Sequence, residues 1–218
     1  PAGEKYQATT SFADSENYAV SISKATFNVN KISTSLTVPA KTFVVTAATK
    51  TLTATLKDLD GKAIANKEII FVVNNKQYTG TTNTNGVSTV KVTLTAVKSY
   101  TTTVSFKGDN EYSAVTKTGT VKITKEKTKL TTPTKTFKKT VKTKKLTITL
   151  KSNSNKAISK VKITVKVNGK TYSAKTNNKG QATVTVKLTA KKTYKYTAKF
   201  AGNSKYLAVS KNGKIVIK

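Results

Sequence analysis

Cysteine, histidine, methionine, tryptophan and arginine are all missing from this 218-residue chain. Without cysteine there is neither a disulfide nor a thiolate metal site. Without histidine as well, nucleophile–base chemistry falls to carboxylates and lysines. Only nine residues are acidic, and in the last 94 residues the single acid is Glu126. That half therefore has no carboxylate pair for glycoside hydrolysis. No apolar run approaches the ~18 residues of a membrane-spanning helix, and no signal-peptide pattern opens the sequence. The missing arginine removes the side chain best suited to bidentate phosphate and guanine contacts. Glutamate, glutamine and leucine are scarce, which argues against helices.

Threonine fills 42 positions and lysine 40, with Val, Ile and Tyr supplying much of the rest. This is the composition of strands. The apolar period is two: Leu52-x-Ala54-x-Leu56, Tyr100-x-Thr102-x-Val104-x-Phe106, Leu146-x-Ile148-x-Leu150 and Val184-x-Val186-x-Leu188. Thr, Lys and Ser fill most intervening positions, as in antiparallel strands with one buried and one wet face. Turn dipeptides punctuate the strands at Asp60-Gly61, Asn74-Asn75, Asn85-Gly86, Asn168-Gly169 and Lys179-Gly180.

The sequence also repeats. Shifted by 94 residues, Lys31–Thr124 lies over Lys125–Lys218 without a gap, and 44 of the 94 positions are identical. Pro39 meets Pro133, Phe43 meets Phe137, Gly86 meets Gly180 and Tyr100 meets Tyr194. The same step carries Phe106 back to Phe12 and Tyr112 back to Tyr18. The predicted organisation is thus a partial repeat over 1–30, contributing a C-terminal hairpin, then full repeats over 31–124 and 125–218.

The spacing of the marks predicts an all-β fold of tandem immunoglobulin-like β-sandwiches, about seven strands each. Tyr100 and Tyr194 follow Leu94 and Leu188 at the spacing of a tyrosine corner, whose hydroxyl bonds back to the preceding backbone. In "FKGDNEYSAV" and "FAGNSKYLAV", Phe106 and Phe200 are expected to close a strand. Gly108 should open the turn and Tyr112 pack over the loop, with Val121 and Ile123 facing inward on the last strand.

The G-x-x-x-Y turn after Phe106 and Phe200, with "LTA-x-K-x-Y" upstream, resembles the bacterial-type immunoglobulin-like repeats of large surface proteins. With abundant Lys, Thr and Asn and no Cys, the chain resembles the adhesin-like surface proteins of methanogenic archaea. The resemblance implies an extracellular, cell-surface stalk of neighbouring repeats that projects an adhesive region. It implies no enzyme activity.

No catalytic, cofactor-binding or metal-ligating residue is assigned, and no cofactor is expected. Asp58-Leu59-Asp60-Gly61 has the outline of part of a calcium loop, but the second copy has Ser152, Ser154 and Asn155 there. A polar hairpin turn accounts for both. A lysine–asparagine crosslink needs a buried acid, which leaves Asp58, Asp60 and Glu68 of the first repeat to consider. Tyr18, Tyr112 and Tyr206 occupy equivalent loops, where packing is a more economical role than a carbohydrate platform.

Charge separates the repeats: −1 over 1–30, +7 over 31–124 and +25 over 125–218. Three readings stay open for that last value. The lysine-rich repeat contacts anionic cell-wall polymer, it only keeps a surface protein soluble, or it is a ligand-binding module for a polyanion or carbohydrate. Specific nucleic-acid binding is disfavoured by the missing arginine, the absence of a groove-entering helix and the core positions of the tyrosines.

Overall fold

The computed structural model describes residues 4–218, and among them there are strands and turns but no helix. β1 (Lys5–Phe12) and β2 (Ser21–Asn28) form a hairpin in which Tyr6 pairs with Phe27 and Phe12 with Ser21. Phe12, Ile22 and Phe27 are at least half exposed on it.

The first repeat contains β3 (Thr34–Thr37), β4 (Lys41–Val44), β5 (Thr51–Asp58), β6 (Glu68–Val73), β7 (Lys76–Thr81), β8 (Val87–Lys91), β9 (Ser99–Phe106) and β10 (Val115–Thr124). They form a three-stranded sheet β3-β5-β8 and a five-stranded sheet β4-β10-β9-β6-β7. The second contains β11 (Thr128–Thr131), β12 (Lys135–Phe137), β13 (Lys144–Ser152), β14 (Lys162–Val167), β15 (Lys170–Lys175), β16 (Gln181–Val186), β17 (Thr193–Phe200) and β18 (Val209–Ile217). Its sheets, β11-β13-β16 and β12-β18-β17-β14-β15, repeat that order. The chain is all-β, built of tandem immunoglobulin-like sandwiches.

Each repeat has eight strands where the pattern predicts about seven. The extra strand comes from proline. Pro39 and Pro133 cannot donate to a ladder, so the first strand stops there and the chain resumes in the opposite sheet as β4 or β12. β12 runs parallel to β18, Phe137 beside Ile217.

Alternation builds the cores. In the second repeat Leu146, Ile148 and Leu150 of β13 meet Ile163, Val165 and Val167 of β14, with Tyr194, Tyr196, Ala198 and Phe200 of β17, all buried. In the first, Leu52, Leu56, Phe71, Val104, Val121 and Ile123 are buried likewise. The tyrosine corner forms in the second copy, where the Tyr194 hydroxyl donates to the Ala190 carbonyl at 3.3 Å.

The turns follow their chemistry. Asn74-Asn75 and Asn168-Gly169 carry positive φ at both central positions, as a type I′ hairpin needs. Gly86 and Gly180 have φ of 71° and 74°. A Cβ there would also strike the carbonyl oxygens of Leu56 and Leu150, so only glycine fits.

By contact density the chain divides into two compact units. One takes in the chain up to Phe43, Ala48–Leu94 and Lys98–Lys122; the other comprises Val44–Ala47, Thr95–Val97 and Ile123–Lys218.

Candidate functional site

Six of the 26 lysines of the second repeat share one sheet face, and the strand register shows how. On β17 the buried residues are Tyr194, Tyr196, Ala198 and Phe200, so Thr193, Lys195, Thr197 and Lys199 point outward. Lys162 and Lys166 of β14, Lys175 of β15 and Lys214 of β18 share that outer face and are exposed. Lys195 stands directly opposite Lys214, and Lys162 directly opposite Lys175. Like charges so paired are destabilising.

Between these ends the lysines alternate across two neighbouring strands. Lys166 pairs with Thr197 and Thr164 with Lys199. Reading along the sheet gives Lys195 on β17, Lys166 on β14, Lys199 on β17 and Lys162 on β14. Each step advances two residues, about 6.6 Å along the strand. No acid interrupts the row, because the sole carboxylate of the repeat, Glu126, lies elsewhere. Thr164 donates to the Lys199 carbonyl at 3.4 Å and Thr197 to Asn212 Oδ1 at 2.8 Å. The ammonium groups are left as the groups that reach outward.

The first repeat has none of this. At the equivalent six places it carries Glu68, Val72, Thr81, Thr101, Ser105 and Thr120. The same sheet therefore forms without the lysines.

Glu126 is a different kind of group. It is 5% exposed within the second unit. Thr46 Oγ1 donates to its Oε2 at 2.6 Å, and the Ser154 hydroxyl and amide donate to Oε1 at 2.7 and 3.2 Å. Ser152 Oγ touches Ser154 Oγ at 2.7 Å. Burial alone raises the pKa, but the hydroxyl and amide donors outweigh it and hold the carboxyl at about 2. The carboxylate is structural, a brace for the turn after β13. Its backbone also bridges to Tyr206, half buried above it.

Of the other acids named from sequence, Asp58 braces a turn. Asp58 Oδ1 accepts from the Lys62 amide at 2.7 Å. Asp58, Asp60 and Glu68 are not among the buried polar groups, so none supplies the interior acid that a lysine–asparagine crosslink needs. No cluster of three or more metal-ligating side chains occurs among the described residues. Tyr112 is half buried beneath Lys67, whose Nζ sits 4.9 Å from the ring centroid. Lys67 also pairs with Asp109 at 2.7 Å, which holds that carboxyl at about 2. Tyr18 is 68% exposed against Phe12.

Sequence reasoning passed over the aspartate or asparagine after the phrase's glycine. Asp109 Oδ1 accepts from the Glu111 and Tyr112 amides, and Asn203 Oδ1 from those of Lys205 and Tyr206. The signal was the shared short acceptor at that place. It also passed over Lys144, 4% exposed, whose ammonium donates to the carbonyls of Lys139 and Val141.

No family model matches the sequence, and no curated protein matches it either. Solved structures resemble its fold. A calcium-stabilised, ice-binding adhesin of an Antarctic bacterium aligns over 98% of this chain at 16% identity, with a TM-score of 0.35. Invasin, a bacterial integrin-binding protein, aligns over 85% at 16% identity and 0.47. The D0–D1 domains of intimin align over 84% at 18% identity and 0.30. The chain spans 57% of the ice-binding adhesin structure, 39% of the invasin structure and 97% of the intimin structure. All three TM-scores lie below 0.5, and the sandwich architecture rests on the strand order of the chain itself.

Proposed function

We propose that this chain is a stalk or spacer segment of an extracellular, adhesin-like surface protein, and that its second repeat rests on anionic cell-wall polymer. The observation that carries the reading is internal. One sandwich is built twice, and the second copy carries +25 against +7 in the first. Repetition of one module suits a spacer. A charge of that size repels itself, and a polyanion beside it relieves the cost. In this reading the repeats do no catalysis, and adhesion to a host or partner cell belongs to the region they project.

The test is sedimentation of the full chain with isolated anionic cell envelopes as salt is raised. Binding at low ionic strength that disappears with salt is expected, because counterion release drives it. A chain that stays in the supernatant at low salt would leave these repeats as spacers alone.

A further inference from the structure

We infer that the outer face of the β12-β18-β17-β14-β15 sheet is a track for a linear polyol-phosphate polymer, laid along the strands with its phosphodiesters on successive lysines. The inference rests on the wall-contact reading above and names both the surface and the polymer chemistry.

Arrangement, more than amount of charge, singles out this face. Solubility requires only dispersed charge, yet here two lysine pairs stand directly across from one another, Lys195 with Lys214 and Lys162 with Lys175. The fold does not require them, since the first copy has Thr101 with Thr120 and Glu68 with Thr81 in those places. A cost accepted at two ends of one row, and absent from the sister domain, is relieved when an anion lies between the ammonium groups.

The row also has a period. Lys195, Lys166, Lys199 and Lys162 alternate between β17 and β14, one charge for each ~6.6 Å of strand. In a glycerol-phosphate chain one charge recurs every six backbone bonds, about 7 Å when extended at ordinary single-bond lengths. The two repeats nearly coincide, so several phosphodiesters meet lysines without bending the polymer. A compact ammonium on a flexible stem suits a singly charged phosphodiester. The doubled ends, Lys195/Lys214 and Lys175/Lys162, then hold the polymer at both limits of the track.

Single-stranded nucleic acid is the competing occupant, since it too is a linear phosphodiester. Its affinity draws on aromatic side chains that stack with bases. On this sheet Tyr194, Tyr196 and Phe200 are all buried in the core, so the face has charge and no stacking platform.

The experiment uses the full chain and two charge-matched variants. In the face variant Lys162, Lys166, Lys175, Lys195, Lys199 and Lys214 are each replaced by threonine. In the control variant the exposed Lys145, Lys151, Lys156, Lys179, Lys187 and Lys191 are replaced likewise. Each variant keeps a net charge of +25, six below the native +31. Circular dichroism melts confirm folding, and the face variant is expected to melt no lower than wild type, because like-charge pairs are removed. Binding to synthetic poly(glycerol phosphate) is measured by calorimetry over a salt series, with single-stranded DNA of equal charge as competitor.

The wild type should show a log–log salt slope of about −4 for six contacts, and the face variant should lose at least about tenfold in affinity and most of that slope. The control variant should stay within about threefold of wild type. Equal loss in both variants overturns the track while leaving the wall-contact reading intact. Face-dependent binding to envelopes without binding to poly(glycerol phosphate) overturns the polymer chemistry. DNA that binds the face more tightly than the polymer does replaces the proposed occupant with nucleic acid. Failure of the wild type to bind either envelopes or polymer at low salt removes the underlying reading itself.

Discussion

Replacing Glu126 by glutamine removes one charge and almost no volume, so it isolates what the carboxylate contributes. The group lies 5% exposed beneath Thr46 and Ser154 donors. Its pKa falls from 4.5 to about 2 on folding. A carboxyl whose folded pKa is depressed contributes stability above its unfolded pKa and loses it as pH falls through the folded one. At pH 7 the contribution is about 3 kcal/mol, and most of it is gone by about pH 2–3. Glutamine retains one acceptor oxygen, and the Thr46 hydroxyl can turn to accept from its amide, so part of the loss is recovered. The expected destabilisation of Glu126→Gln is therefore about 2–3 kcal/mol at pH 7. It should shrink steadily below pH 4.5 and vanish near pH 1–2. Calorimetric unfolding of the full chain at several pH values reads this directly, and exchange of the Ser154 amide localises it. A difference of equal size at pH 7 and pH 2 would refute the reasoning, because a lost shape or packing contact does not titrate.

Other substitutions probe single features. Tyr196 is buried, its hydroxyl donates to the Pro133 carbonyl at 2.7 Å, and burial pushes its pKa up to about 12; Tyr196→Phe should cost about 1–2 kcal/mol in urea unfolding, and a neutral result would mean that carbonyl finds another donor. Ser88 is buried with no partner for its hydroxyl, so Ser88→Ala should raise stability by up to about 1 kcal/mol, and lower stability would reveal a bound water. A Cβ at Gly80 would sit 2.7 Å from Ser88 Oγ. Gly80→Ala should therefore destabilise alone and be tolerated with Ser88→Ala, a coupling of about 0.5–3 kcal/mol in a double-mutant cycle; additive effects would refute the contact. Gly180→Ala forces a side chain onto the Leu150 carbonyl at positive φ, which should cost more than about 2 kcal/mol by thermal melt.

Most of the fold was legible because its signals are local. Alternation at Leu146-x-Ile148-x-Leu150 marks a half-buried strand whatever its partner, and Asn168-Gly169 fixes a turn by backbone sterics alone. The tyrosine corner was legible from spacing, since its hydroxyl reaches only four residues back, to Ala190. The proline break was harder to read. Whether Pro133 ends a strand or sends it to the opposite sheet depends on the later strand β18, which receives β12. The lysine row lay still further from view. Its members come from β14, β15, β17 and β18, and only cross-strand register brings Lys195 to Lys214 and Lys162 to Lys175. Composition revealed an excess of charge in the second repeat, but register was needed to show that six charges share a face. Glu126 was visible as a lone acid near a boundary, while its burial depends on serines 26 and 28 positions away.

Comparing the two copies separates changes the fold absorbs from changes it does not. Inside the sandwiches, substitutions come in compensating sets. Where the first copy packs Val38 and Thr102 against Gly119, the second has Thr132 and places the Tyr196 ring over Gly213. Where Gly80 makes room for Ser88, the second copy has Ala174 with Ala182. The first copy has Ile32, Asp58 and Asp60 at the places where the second has Glu126, Ser152 and Ser154, so acid on the turn is replaced by an acid on the strand lead-in that those serines serve. In each set a change at one position is met by a change at a neighbouring one. The outer face behaves differently. Six positions change toward lysine, none changes to a compensating acid, and four of the changes create two like-charge pairs. Packing cannot account for changes that point away from the core, and stability alone runs against them. The compensation that those interior changes find in a neighbouring side chain is missing on this face, and the proposed polyanion would supply it.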